Sequence, residues 1–98
     1  ARAAEMIRDI GPKASRAEPA LRKALADRSG RVRSDAALAL GAVTAGSDRA
    51  VKTLERLLRD KDPDVRYSAA AALGRVGTPK AEKAFNRYFR AESRRGWR

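Results

Sequence analysis

Two stretches of the chain, LADRSGRVR at residues 25–33 and LRDKDPDVR at residues 58–66, share one pattern and decide the fold. Leu25 thus matches Leu58, and the same register continues from residues 36–43 to residues 69–76. Moving back by one further repeat aligns residues 3–10 with this pattern as well. Self-similarity at a fixed period of about 20–50 residues is typical of repeat proteins. The chain is therefore expected to consist of tandem structural repeats.

The first helix of each repeat is predicted from the spacing of its apolar residues. These residues are Val32, Ala36, Ala39 and Val43 in one copy and Val65, Ala69, Ala72 and Val76 in the next. Their intervals place them on one face of a helix and do not fit the alternation of a strand. Ser29 and Asp62 stand at N-cap positions, and Pro63 follows at the first helical position. Gly46 and Gly77 mark the turn after each of these helices.

A second helix follows in each repeat, because residues 46–58 resemble residues 77–89 at a slightly shorter offset. Residues 18–25 supply the equivalent helix in the first copy. Each second helix has an apolar side that is predicted to lie in the core. It consists of Ala50, Val51, Leu54, Leu57 and Leu58 in one copy, and Phe85, Tyr88 and Phe89 occupy matching positions in the next. A helical hairpin of this length cannot bury its apolar face alone, so stacked neighbours are expected to supply a continuous core.

The predicted fold is all-α, a right-handed α–α superhelix of about two and a half to three helical hairpins. We expect a partial repeat at residues 1–25, full repeats at residues 26–58 and 59–91, and a basic C-terminal tail at residues 92–98. The Val-Arg pair at residues 32–33 recurs at residues 65–66, and the equivalent pair one repeat earlier would fall before Ala1. This leads us to expect a segment of a longer chain or part of a larger assembly.

The 98 residues include neither cysteine nor histidine, which removes disulfides, the thiolate and imidazole metal ligands and the commonest general base. The densest acidic cluster is Asp60, Asp62 and Asp64, but the glycine and the distal glutamate of an EF-hand loop are missing. No phosphate-binding glycine loop is present. We therefore predict a binding protein rather than an enzyme, with no catalytic residue, cofactor or metal.

Neither a membrane span nor a leader is indicated, because the sequence has no apolar run of about 18 residues and no apolar stretch near Ala1. These features favour a soluble intracellular protein. The formal net charge is +11, from 23 Lys and Arg against 12 Asp and Glu. Such a charge favours polyanionic partners, which include nucleic acid, acidic protein surfaces and anionic lipid.

The string DPDVR at residues 62–66, followed by AAAALG at residues 69–74, resembles the HEAT-like repeat of phycobilisome-lyase-type proteins. Residues 29–41 form a weaker copy, and the resemblance covers nearly all of residues 1–90. It implies an α-solenoid scaffold, a fold that serves many unrelated functions.

The resemblance also implies a structural role for Arg33 and Arg66, the arginines that follow the motif valine. In HEAT-like families this arginine commonly braces neighbouring hairpins through an acidic residue near a helix end. The candidate partners in this chain are Asp27, Asp60, Asp62 and Asp64.

Opposite the apolar side of the second helices, cations recur in equivalent positions with no acidic residue among them. They are Arg49, Lys52, Arg56 and Arg59 in one copy, Lys80, Lys83, Arg87 and Arg90 in the next, and Arg16 and Lys23 in the first. A solvated helix face usually mixes signs, because like charges at helical spacing repel by about a few tenths of a kcal/mol. The ordinary surface of a basic protein remains an alternative explanation. Because the second helix of HEAT-like solenoids lines the concave surface, the resemblance implies that these cations form one basic strip.

Three functions are compatible with this sequence. The first is a protein-interaction scaffold that uses the basic strip to hold an acidic protein or peptide. The second is binding of the nucleic-acid phosphate backbone by the same strip, although the sequence has no recognition motif and no exposed aromatic platform for single strands. The third, by resemblance, is a bilin-lyase-like chromophore chaperone.

Overall fold

A computed structural model describes residues 17–94, which form helices joined by short turns and contain no strand. Helix α1 is described from residue 17 to residue 24. It is followed by α2 (Gly30–Val43), α3 (Val51–Leu57), α4 (Pro63–Val76) and α5 (Pro79–Arg94). Helix α1 corresponds to the second helix of the first repeat, and two consecutive hairpins, α2–α3 and α4–α5, follow it. The prediction of an all-α helical repeat solenoid is confirmed. Helix α5 continues past residue 91, where the repeat register places the start of a tail.

Helices α2 and α4 both begin at side chains that cap them. The Oγ of Ser29 accepts a hydrogen bond from the N–H of Val32 at 3.3 Å. An oxygen of Asp62 accepts one from the N–H of Asp64 at 2.9 Å, and Pro63 takes the first helical position, where a missing N–H costs nothing. These caps explain why both helices start at the same point of the repeat.

Two glycines with positive φ angles form the turns after these helices. Gly77 has a φ of 70° and donates its N–H to the carbonyl of Leu73 at 3.2 Å, which ends α4. Gly46 has a φ of 80°, and its N–H donates to the carbonyl of Val76 at 2.8 Å. Because left-handed backbone strains other residues, glycine suits both positions. The second hydrogen bond joins the turns of consecutive hairpins.

The core lies where α2 packs along α4 and where α3 and α5 cover the same apolar layer. It consists of Leu25, Ala36, Ala37, Leu40, Ala50, Val51, Leu54, Leu57, Val65, Ala69, Ala72, Leu73, Val76, Ala81 and Ala84. Alanine supplies seven of these fifteen residues, and such small side chains allow the helices to approach closely. None of the helices within residues 17–94 is long and apolar enough to cross a lipid bilayer.

Several residues on the apolar sides of the predicted helices lie near the surface. Val32 is 38% exposed, whereas its repeat equivalent Val65 is fully buried under α2. Phe85 and Tyr88 are half-buried, and Phe89 is 54% exposed. An interior position in a stack is covered from both sides, but these flanks of α2 and α5 each face only one neighbouring hairpin in the part of the chain that the structure describes. The prediction of a core position from repeat equivalence was therefore wrong for Phe89.

Candidate partner-binding surface

Arg33 of α2 joins the turn before its own helix to the turn after α3. Its Nε and Nη2 donate to the two carboxylate oxygens of Asp60, at 3.0 and 3.1 Å. Its Nη1 donates to the carbonyls of Asp27 and Arg28, at 2.7 and 3.0 Å. The residue is only 8% exposed. This two-point contact with a carboxylate ties the end of α1 to the end of α3.

Arg33 and Asp60 each stabilise the charged form of the other. Burial by itself raises the pKa of the Asp60 carboxyl, but hydrogen bonds from Arg33 and from the N–H of Asp62 more than offset this effect. The pKa of Asp60 therefore lies below its ordinary value. The pKa of Arg33 is raised, mainly by its hydrogen bond to Asp60. Both groups are charged at neutral pH.

Arg66 occupies the equivalent position on α4 but has a different set of partners. Its Nη1 donates to the carbonyls of Asp60 and Lys61, at 2.8 and 3.4 Å. Within residues 17–94, Arg66 Nε donates no hydrogen bond, and it lies 3.8 Å from Oε1 of Glu92. Arg66 thus connects the turn after α3 to α5.

The other carboxylates proposed as bracing partners have local roles. Asp27 accepts a hydrogen bond from the N–H of Ser29 at 2.8 Å, and Asp62 caps α4. Asp64 is exposed in the first turn of α4. None of these three carboxylates forms an ion pair with Arg33 or Arg66. Within residues 17–94, no group of three or more acidic residues is arranged to hold a metal ion.

Every strip cation within residues 17–94 is exposed. These residues are Lys23 at the end of α1, Arg49, Lys52, Arg56 and Arg59 in and beside α3, and Lys80, Lys83, Arg87 and Arg90 on α5. Arg16, the remaining predicted member, lies outside the described residues. These exposed cations are distributed over three successive second helices, α1, α3 and α5.

Side-chain contacts show that α1 lies beside α3. Nε of Arg49 is 2.8 Å from Oε1 of Glu18. Arg22 donates to Oγ1 of Thr53 at 2.9 Å and to the carbonyl of Arg49 at 3.1 Å. The strip cation Arg49 is therefore paired with a carboxylate of α1, the second helix of the preceding repeat.

A similar pair connects α3 with α5, where Nη1 of Arg87 lies 3.5 Å from Oε2 of Glu55. Arg87 remains highly exposed, so this pair is weak. The pattern of equivalent positions did not reveal Glu18 and Glu55, because both lie on the flanks of their helices and reach the strip only across a helix–helix contact. The strip members that form no ion pair with another described residue are Lys23, Lys52, Arg56, Arg59, Lys80, Lys83 and Arg90.

The surplus positive charge is concentrated on the second helices. Residues 48–59 and 79–94, which contain α3 and α5, carry nine Lys and Arg against four Asp and Glu. Residues 27–43 and 60–76, which contain α2 and α4, carry six against five. The segments that contain α3 and α5 therefore carry most of the net positive charge of these four helices.

A cavity of about 470 Å³ opens between the end of α3 and the last turns of α5, and we call it the α3–α5 groove. It is lined by Glu55, Arg56, Leu58, Arg59, Ala84, Arg87, Tyr88, Ala91 and Glu92. Three of these residues belong to the basic strip, and four supply apolar surface. The sequence did not predict this groove, because its width depends on the separation of two helices.

Comparison with family models matches residues 19–96 to the model described as HEAT repeats, which is well over half of the chain. No match to a curated protein or to a solved structure accompanies it. The match covers all of the helices that carry the strip within residues 19–94 and both walls of the α3–α5 groove.

Proposed function

The chain belongs to the HEAT repeat family, and on that premise we propose that it is a binding scaffold whose basic strip holds an acidic protein or peptide. HEAT repeats generally serve as protein-interaction scaffolds and are typically not enzymes, because stacked hairpins present an extended surface rather than a reactive pocket. The observation that carries the proposal is the segregation of charge onto α3 and α5.

The unpaired members of the strip provide the binding energy in this proposal. Arg49 and Arg87 are paired with carboxylates of the chain, whereas seven other strip cations have no such partner among the described residues. A single exposed ion pair contributes only about 0–1 kcal/mol, so a partner must engage several cations at once. Charge of one sign over an extended face also speeds the encounter with an acidic partner.

The nucleic-acid phosphate backbone is the second candidate, because the same seven unpaired cations would neutralise phosphates. Glu18 is paired with the strip cation Arg49, and Glu55 and Glu92 line the groove beside three others, so these carboxylates would repel a continuous line of phosphates. This repulsion makes a protein partner the better proposal.

The phycobilisome-lyase-type resemblance, with its bilin chaperone function, remains a further proposal from the sequence motif. The propionate groups of a bilin would contact the same cations. A titration that follows bilin absorbance tests it directly.

Affinity purification from the source cell, with and without nuclease, tests the main proposal. The informative variant combines Lys52→Glu, Arg56→Glu and Lys83→Glu, since none of these side chains forms an ion pair within residues 17–94. The matched control makes the same change in net charge on exposed residues outside the second helices, with Arg31→Glu, Lys61→Glu and Arg75→Glu.

We expect the wild type and the control variant to retain a protein partner after nuclease treatment, and the strip variant to lose it. The melting temperature should be nearly the same for all three proteins, because every substituted side chain is exposed. If the control variant loses the partner to the same extent, the partner is attracted by the net charge of the chain alone. Loss of every partner after nuclease would favour nucleic acid instead.

A further inference from the structure

The α3–α5 groove combines apolar surface and positive charge in one cavity. Ala84 is only 3% exposed, while Leu58 and Tyr88 are half-buried and Ala91 is exposed. A surface that only attracts anions needs no apolar residues. The apolar surface of this groove is instead suited to contact with an apolar side chain of a partner. The volume, about 470 Å³, falls within the range of about 300–1,000 Å³ that is common for ligand clefts.

Two of the groove arginines are available to a partner. Arg56 and Arg59 are exposed and form no ion pair with another described residue. Arg87 is paired with Glu55 at 3.5 Å. Because a guanidinium can bind both oxygens of a carboxylate, Arg56 and Arg59 are suited to side-chain carboxylates.

The acids of the groove limit which anion it can accept. Glu55 and Glu92 lie in the same lining as the arginines. A nucleic-acid backbone carries a phosphate at every step and would bring some of them close to these carboxylates. A peptide can instead place carboxylates at Arg56 and Arg59 and an uncharged residue between them.

The two walls of the groove are held in place by Arg66. Its guanidinium donates to the carbonyl of Asp60, directly after α3, and lies 3.8 Å from Glu92 on α5. This side chain of α4 therefore spans from one wall to the other. A groove that is preformed in this way binds with less loss of conformational entropy than one that must first be ordered.

We propose that the α3–α5 groove binds a short acidic peptide segment in which one large apolar residue is flanked on both sides by Asp or Glu. The apolar side chain packs on Leu58, Tyr88 and Ala91, and the flanking carboxylates bind Arg56 and Arg59. This inference rests on the proposed function and narrows it from an acidic partner to a defined type of peptide.

Fluorescence anisotropy with two labelled peptides tests the inference. The probes are Glu-Asp-Leu-Asp-Glu and Glu-Asp-Ser-Asp-Glu, which differ only in the central residue, and a short DNA duplex serves as a third ligand. The Leu peptide is expected to bind the wild-type chain about tenfold more tightly than the Ser peptide, since one large apolar contact accounts for about that factor.

The variant Ala91→Trp fills the groove from an exposed position of α5, and Ala42→Trp makes the same change at an exposed position of α2. Ala91→Trp should abolish the preference for the Leu peptide, whereas Ala42→Trp should leave it unchanged. Thermal melts check that both variants fold. If either variant does not fold, the comparison of the two peptides on the wild type still decides the question.

Equal affinity of the wild type for the two peptides would overturn the groove inference, and so would a leucine preference that survives in Ala91→Trp. Tighter binding of the DNA duplex than of the Leu peptide would overturn it in favour of a phosphate backbone. In the first two cases the proposed function still stands if the Lys52, Arg56 and Lys83 reversals abolish binding of both peptides. If neither peptide binds, the groove inference fails, and the affinity purification decides the proposed function separately.

Discussion

Gly41 of α2 lies so close to Ala72 of α4 that a Cβ on Gly41 would come within 2.7 Å of both the Cβ and the carbonyl oxygen of Ala72. Gly74 occupies the same position of the repeat on α4, yet a Cβ there would meet nothing within 4 Å. The difference arises because α4 covers Gly41, whereas no helix among the described residues covers Gly74 in the same way. One residue type in one repeat position therefore has two different physical roles.

We expect opposite effects from alanine at these two glycines. Gly41→Ala should lower the free energy of unfolding by about 1–3 kcal/mol, because the added methyl group forces α2 and α4 apart. Gly74→Ala should raise it by about 0.5–1 kcal/mol, because alanine favours the helix and the space is empty. Urea denaturation followed by circular dichroism measures both values. Changes of the same sign in the two variants would contradict the proposed packing.

The ion pair between Arg33 and Asp60 should make stability depend on pH. The folded-state pKa of Asp60 is lowered, so Asp60 contributes stability above the ordinary carboxyl pKa and loses that contribution as the pH falls through the lowered value. Asp60→Asn should lower the melting temperature at neutral pH by about 5–10 °C. The difference in melting temperature between wild type and Asp60→Asn should shrink as the pH is lowered below the pKa of an ordinary carboxyl group.

Asp35→Asn is the control for this experiment, because Asp35 is exposed on α2 and forms no ion pair with a described residue. Thermal melts of the wild type and both variants across the acidic range provide the comparison. A gap between wild type and Asp60→Asn that stays constant at all pH values would disprove the electrostatic explanation.

Removal of the Glu55 carboxylate should strengthen binding of acidic peptides. Glu55 lies 3.5 Å from Arg87, and Glu55→Gln releases this guanidinium for a partner. We expect the affinity for the Leu peptide to rise by about two- to fivefold at low salt, with a smaller gain at high salt because of screening. Glu82→Gln changes the net charge equally at an exposed position of α5 outside the groove. An equal gain in both variants would argue that only net charge matters.

Apolar residues of the two second helices should differ in their contribution to stability according to their burial. Leu54 is fully buried, and Leu54→Ala should cost about 2–5 kcal/mol through the cavity that it leaves. Phe89 is 54% exposed, with its ring centroid 5.5 Å from that of Phe85, so Phe89→Ala should cost less than about 1 kcal/mol. Chemical denaturation ranks the two variants, and a large loss with Phe89→Ala would show that its flank is covered in solution.

The amino-acid sequence by itself determined the repeat, the helices and the direction in which their faces point. The helices begin at Ser29 and Asp62 because capping is an interaction between residues close together in the chain, which a local pattern reveals. The strip cations are exposed because the apolar residues opposite them, such as Leu54, fix the rotation of each second helix in the core. Both conclusions depend on periodicity within one helix, and periodicity is visible in a single sequence.

Only the tertiary structure decided which side chains meet across helices. It paired Arg49 with Glu18 and Arg87 with Glu55, although the partners lie on different helices and far apart in the sequence, and it opened the groove between α3 and α5. It also left Phe89 exposed where repeat equivalence predicted core. The physical reason is that ion pairs, cavities and burial depend on the spacing and offset of neighbouring helices. Close contacts such as that of Gly41 with Ala72 set this spacing, and no pattern within one helix contains it.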